Sequence, residues 1–462
     1  MTERRVPCPA CKALILEGAR KCRSCKGWVL DRHPAPREPR LPRAAVFVTT
    51  AVASVLAILI NGQKNPVGEA PPLTSLAPEG SAAGASAPAG IGPDDAESTP
   101  PPAAPDPERR WRVRELRVGD FHPLDVAWNP AGGSVYVSGD DASLREYKLK
   151  TGELIHKASV AAQGDHLRLL FDRYIAVLRH EDATRIPVMD TTAWDRDPIL
   201  LEVGRSPGDI VELPDGRSVV AATTDSKRVS RFELPSGART ANITLPHATG
   251  QLFVVNATGR THVGALGALL HNGRPAGAWI DLFDPGEGPF GATRRSIAVG
   301  REPRGGAVTA DGAAIFLPDR VSNTATLLRV SGVTESKRVA VGAGPTAGFL
   351  LANDRYGVTL DADARTATVI DLSTMTVTGT LPLGGVPRAG VTSPDRKTLF
   401  VALGGAGWPP PGSGVAVIAG DPPKVVASLP TGKGATAVAV SKDGTRAAVA
   451  SYSDRSITII EQ

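Results

Sequence analysis

Beyond position 25 this chain of 462 residues has no cysteine, its four lying at 8, 11, 22 and 25. The rest of the chain therefore forms no disulfide, whichever compartment it folds in. Aromatic residues are scarce too, at 5%, so the core must come mainly from branched aliphatics and alanine. No G-x-S-x-G elbow, H-E-x-x-H helix or P-loop occurs, which removes the best-marked routes to hydrolase, metalloprotease and nucleotide chemistry. From about residue 111 no amphipathic helical period intervenes between the apolar runs, which excludes an alternating α/β plan. What is abundant is turn chemistry: 49 glycines and 40 prolines, enough for many tight turns or a long linker.

The formal charge of +5 is unevenly spread. Residues 1–43 hold eleven Lys/Arg against four Asp/Glu, or +7, and leave −2 for everything after them. The basic character belongs to the N-terminal tenth, and nucleic acid is not expected as a partner of the main domain.

The cysteines are spaced as CPAC (Cys8, Cys11), ten residues, then CRSC (Cys22, Cys25). Each C-x-x-C turn aims two thiolates at one metal, and two turns complete the closed tetrahedral shell that structural Zn2+ prefers. Lys12, Lys21, Arg23 and Lys26 stand beside them, where positive charge offsets the −2 of a zinc–thiolate centre. The intervening ten residues are expected to form a small hairpin. The alternatives are two disulfides or a redox pair; the first conflicts with the topology below, and the second needs only one C-x-x-C. The stretch CPACKALILEGARKCRSCKGW resembles the short zinc ribbons at the N-termini of many bacterial membrane proteins, which implies a structural rather than a catalytic metal.

Residues 44–60, AAVFVTTAVASVLAILI, carry no charge. Seventeen residues at about 1.5 Å each make a short transmembrane helix for a ~30 Å hydrocarbon core. Arg32, Arg37, Arg40 and Arg43 precede it and only Lys64 follows closely, so the N-terminus is expected in the cytoplasm and the remainder outside. A cleaved signal peptide is the alternative, but the preceding region is too long and no A-x-A site follows directly. Residues 61–108, rich in Pro, Ala, Gly and Ser, read as a disordered tether reaching roughly 35–40 Å.

From residue 109 onward, short strand-like runs recur: SVYVSG (134–139), RSVVAATT (217–224), ATVIDL (367–372), TLFVALG (398–404) and SITIIE (456–461). Turns between them (NPAG, FDR, LPDG, NATG, TADG, NDR, SPDR, SKDG) centre on Ala131, Asp172, Asp215, Thr258, Asp311, Asp354, Asp395 and Asp443, at steps of 41, 43, 43, 53, 43, 41 and 48 residues. In Pro-Asp-Gly, proline presets φ, aspartate bonds the local backbone and glycine takes positive φ. Upstream of most turns lies a glycine-containing loop: GREPRG, GAGPTAG, GGVPRAG, GKGATA. Four strands per roughly 43 residues is one β-propeller blade.

The repeat VG-x-x-P-x-x-x-V-x-x-D-G resembles the YVTN family of propellers over residues 111–462, with lactonase-like and WD-repeat propellers as relatives in shape. That resemblance implies an all-β fold of about eight four-stranded blades, or seven, the usual number in that family, if one degenerate unit is not a blade. The last unit supplies only three strands, and WRVRELRV (111–118) is expected to complete it and close the ring.

Domain order is thus zinc ribbon (1–31), basic juxtamembrane segment (32–43), transmembrane helix (44–60), linker (61–108) and propeller (109–462). Among the histidines, His156, His166, His180, His247 and His262 fall singly near strands or turns and read as structural or surface groups rather than ligands. Lys150-Thr151-Gly152-Glu153 echoes a quinoprotein turn, but the following tryptophan is missing, which argues against pyrroloquinoline quinone. Two insertions break the rhythm, FDPGEGPFGATRR (283–295) and GGAGWPPPGSG (404–414). The second carries Trp408, the best single candidate for a contact residue unless it is buried between blades. The expected function is a membrane-anchored extracytoplasmic binding module with a protein, peptide or glycan partner, on the plasma or inner membrane. The alternative is a lactonase-like hydrolase at the channel mouth, which a cluster of three or more acids and histidines there would favour.

Overall fold

The computed structural model describes residues 5–7, 14–16 and 111–462, apart from 161–162, 179–182, 258, 272–273, 287–288, 293 and 331–334. Two compact units divide at residue 45. In the first, the described strands Arg5–Pro7 and Leu14–Leu16 pair antiparallel, with Arg5 opposite Leu16 and Pro7 opposite Leu14. In sequence these strands flank Cys8 and Cys11, the first cysteine pair. The four cysteines themselves, the span 44–60 and the linker 61–108 lie outside the described residues.

In the second unit the described strands form eight four-stranded antiparallel sheets. Blade 1 covers 123–159, blade 2 166–202, blade 3 207–244, blade 4 248–299, blade 5 307–340, blade 6 345–382 and blade 7 389–429. Blade 8 combines three strands within 435–461 with Arg112–Arg117 as its outermost strand. Arg112 faces Glu461 and Arg117 faces Ser456 across that last ladder, so the two ends of the described ring are hydrogen-bonded together. Closure removes the sheet edge that Ser456–Glu461 would otherwise present. There are eight blades, not seven.

The reason the inner strands read as continuous apolar runs is visible in Thr398–Ala402. Successive side chains point to opposite faces: Leu399 and Val401 pack toward blade 6 with Val358 and Val369, while Phe400 and Ala402 pack toward blade 8 with Val449 and Ile460. Both faces are buried, so alternation is lost. One cluster of this kind fills each of the eight blade–blade junctions. The outermost strands instead alternate, as in Lys424–Leu429, whose side chains switch between exposed and half-buried.

The turns behave as their residues predict. Asp215 accepts from the amides of Arg217 (3.0 Å) and Ser218 (2.7 Å), and Asp443 accepts from the Thr445 amide (3.0 Å). The Ser441 hydroxyl, followed by the Thr445 amide, holds the Asp443 carboxyl down at about 2. Blade 4 is long for two reasons. Its strands run to Arg260–His271 and Arg274–Phe283, paired as far as His271 opposite Arg274, and its insertion is anchored by Phe290 edge-on against Phe283 at 5.5 Å. Lys150–Glu153 is an ordinary hairpin turn, with the Gly152 amide donating to the Lys148 carbonyl at 2.8 Å.

Candidate functional site

In an antiparallel meander, alternate connections fall on opposite ends of the sheet. The Pro-Asp-Gly turns therefore ring one face of the propeller. The loops joining second and third strands ring the other, together with the glycine loops that lead into each blade. The 404–414 insertion, Tyr452, His122 and Arg388 all belong to this second face.

Residues 403–414 connect the second and third strands of blade 7 and are tied down at several points. The Gly405 amide donates to the Val386 carbonyl (3.2 Å), the Gly412 amide to the Gly404 carbonyl (2.7 Å), and the Gly434 amide of blade 8 to the Gly412 carbonyl (2.8 Å). At the loop's tip Trp408 is 37% exposed. It is not buried between blades. Its ring lies 4.5 Å from that of Tyr452, tilted by 60°, and Tyr452 stacks on His122 at 4.4 Å and 23°. The Nδ1 of His122 lies 2.8 Å from the Tyr452 carbonyl oxygen, and Asp140 accepts from the His122 amide at 2.9 Å. Three rings from blades 7, 8 and the loop into blade 1 thus form one contiguous aromatic run (expected in the sequence only at Trp408). Burial, with the Asp140 charge as a second cause, pushes the Tyr452 hydroxyl above its ordinary range, so it stays a neutral donor.

Beneath this run lies Arg388, 3% exposed. Its Nη1 donates to the carbonyls of Gly405 (3.1 Å) and Gly407 (3.3 Å), and its guanidinium carbon sits 5.7 Å from the Trp408 ring centre. Nε and Nη2 are buried and have no partner among the described residues. Burial pulls the guanidinium down to about 9, as expected when no carboxylate compensates the lost water.

The central channel encloses a cavity of ≈ 550 Å³. Register shifts recur where innermost strands begin, between Pro123 and Asp125, Pro207 and Asp209, Pro345 and Ala347, and Ala435 and Ala437. Each is a bulge that lifts one residue out of the ladder. Asp125 and Asp209, just past two of them, staple their blades to the next. Asp125 accepts from the Leu167 amide (2.8 Å) and from His166 Nδ1 (3.0 Å), and Asp209 from the Leu252 amide (3.1 Å) and Arg168 Nε (3.2 Å). His166 Nε2 is buried without a partner among the described residues. At the opposite mouth Lys442 pairs with Asp172 at 2.7 Å.

His247 stacks on Trp279 (4.4 Å, 2°) beside Asp281, His156 stacks on Trp194 (5.1 Å), and His262 contacts the Arg260 carbonyl. His180 lies outside the described residues. Among the described residues no group of three or more His, Cys, Asp or Glu is placed to hold a metal ion, and no helix is long and apolar enough to cross a membrane.

His122, Tyr452, Arg388 and Asp125 were not legible as site residues, yet one signal existed. Aligned on the residue that leads into each innermost strand (proline in five blades, Ala435 in blade 8), the next position holds Leu124, Gly208, Arg304, Thr346, Arg388 and Thr436. A long cation where the other repeats hold Leu, Gly or Thr marks a place with a separate task.

The described strands define this unit as an eight-bladed β-propeller. No known family model matches the chain, and no curated protein matches it in sequence. Among solved structures it is similar to the C-terminal WD40 domain of Sif2, at TM-score 0.57 and 12% identity, over 76% of this chain and 98% of that one. It is also similar to a chain of hydrazine synthase from Kuenenia stuttgartiensis, at TM-score 0.50 and 16% identity, over 75% and 97% respectively. Such low identities establish the fold and nothing of the chemistry.

Proposed function

We propose that this protein is a membrane-anchored, extracytoplasmic propeller of the YVTN kind that binds a partner on the face carrying Trp408. The observation that supports it is the aromatic run His122–Tyr452–Trp408, since large exposed aromatics held on a rigid scaffold are the usual anchors of binding surfaces. Trp408 is the one aromatic residue among the large hydrophobics exposed in the described residues; the others, such as Leu154, Val377 and Val426, sit mostly on outer strands. The arginine-flanked apolar segment 44–60 supports the anchor and its direction. The hairpin Arg5–Leu16 around the first C-x-x-C fits a zinc knuckle, and Cys8, Cys11, Cys22 and Cys25 would hold the metal. When bound, Zn2+ supplies folding energy to the small N-terminal unit.

Quantitative affinity capture from solubilised membranes tests the binding face. Trp408→Ala and Tyr452→Ala should deplete the same co-purifying partner while leaving the propeller's unfolding midpoint nearly unchanged. Equal recovery from wild type and both variants would sink the reading.

A second reading, hydrolysis in the channel, has one observation on its side: Asp125 orients His166 through a 3.0 Å contact, as a base is oriented in hydrolytic dyads. Against it, Asp209 and Asp172 are each committed to a cation. Lactone or ester turnover lost in His166→Ala would favour this reading; its absence from wild type would remove it.

A further inference from the structure

Six blades line the central cavity, and one position on their innermost strands sets its chemistry. Four residues after the lead-in residue stand Ala127, Ala307, Phe349, Val391 and Ala439, and blade 2 holds Arg168 in the corresponding place. The correspondence is one of register, since Ala127 and Arg168 each face the third residue of their second strand, Tyr136 and Ala176. Five apolar side chains thus share the wall with a single cation. Arg168 donates Nε and Nη2 to Asp209, at 3.2 and 3.4 Å. Its side chain is still 31% exposed, and Nη1 has no partner among the described residues. The guanidinium therefore keeps accessible N–H bonds at the cavity wall.

Charge decides the kind of ligand. The acids here are already matched: Asp125 has His166 and the Leu167 amide, Asp172 has Lys442, and Asp209 has Arg168. An ion brought among these apolar side chains would lose its water and meet no free counter-charge. A neutral acceptor escapes that cost, and its hydrogen bond to a charged donor is of the stronger kind. A volume of ≈ 550 Å³ also suits a small-molecule site, which is mostly apolar with a few placed polar groups. We infer that the central cavity binds an uncharged, mainly apolar small molecule whose carbonyl or ether oxygen accepts from Arg168 Nη1. Entry is past the exposed pair Lys442–Asp172, on the face opposite Trp408, so the site is independent of the binding face proposed above.

Benzophenone is a fitting probe. It is uncharged, apolar apart from one ketone, and couples to nearby C–H bonds on irradiation. It has no hydrolysable bond, so labelling reads binding apart from any turnover. The full-length chain in lipid nanodiscs is irradiated with benzophenone or with its carboxylate analogue, benzoylbenzoate, and labelled residues are mapped by mass spectrometry. Saturable labelling of innermost-strand residues such as Trp128, Phe349 and Val391 is expected with benzophenone, and about tenfold less with the carboxylate. Arg168→Lys, which keeps a cation for Asp209 but loses Nη1, should raise the half-saturating concentration about tenfold. Ala307→Phe, which gives blade 5 the ring that blade 6 carries at this position, should abolish labelling in the channel, and it serves alone should Arg168→Lys fail to fold. Trp408→Ala should leave the labelling unchanged. Channel labelling that does not saturate, that the carboxylate matches, or that survives Ala307→Phe would overturn the inference. So would half-saturation unmoved in a folded Arg168→Lys variant, or labelling lost in Trp408→Ala.

Discussion

Asp361 lies fully buried at the end of a second strand, ringed by the hydroxyls of Thr359 (2.8 Å), Thr366 (3.3 Å) and Thr368 (2.6 Å). Burial outweighs these donors and pushes its carboxyl up to about 6. The folded state therefore binds a proton that the unfolded chain, near 3.8, has already released. The neutral form's contribution is complete below about pH 4 and is lost as pH rises through 6, worth about 3 kcal/mol in all. Asp361→Asn should flatten the pH dependence of the unfolding midpoint between pH 4 and 7. An unchanged slope there would contradict this account of the site. At the same scale lies the limit of what could be read in advance. Trp408 stood out because it sits among prolines in a loop that breaks the repeat. Tyr452 and His122 did not, because they meet only when blade 8 closes onto blade 1, 330 residues apart in sequence. Arg388 hid among the lead-in loops until aligned with Arg304.

At the scale of elements, strands were legible and their partners less so. SVYVSG and SITIIE coincide with the observed strands Ser134–Gly139 and Ser456–Glu461, because both faces of each are buried and the apolar run has no gaps. Blade 4 was the hardest to bound, since its extra length went into the strands Arg260–His271 and Arg274–Phe283 as well as into the loop, and strand lengthening leaves no turn signature. The closing strand carries a prediction of its own. Leu116 is buried with Ile457 and Ile459 at the junction with blade 1. Leu116→Ala should cost about 2–4 kcal/mol, as in any packed core, although it lies in the first strand of the propeller. A silent substitution in denaturant unfolding would mean that Arg112–Arg117 does not close the ring.

At the scale of the whole molecule, two units with separate tasks predict separable losses. The full-length chain should carry one zinc, measured by elemental analysis, and Cys8→Ser or Cys22→Ser should remove it without shifting the propeller's unfolding midpoint. Metal retained in both variants would contradict the four-thiolate shell. The central claim concerns which face of the propeller meets a partner. A photo-crosslinking residue placed at 408 or at 397 samples opposite ends of the strand Thr398–Ala402, and hence opposite faces. In intact cells the account predicts a discrete adduct from position 408, abolished by Tyr452→Ala, and none from position 397. Adducts from 397 alone, or equally from both positions, would contradict it.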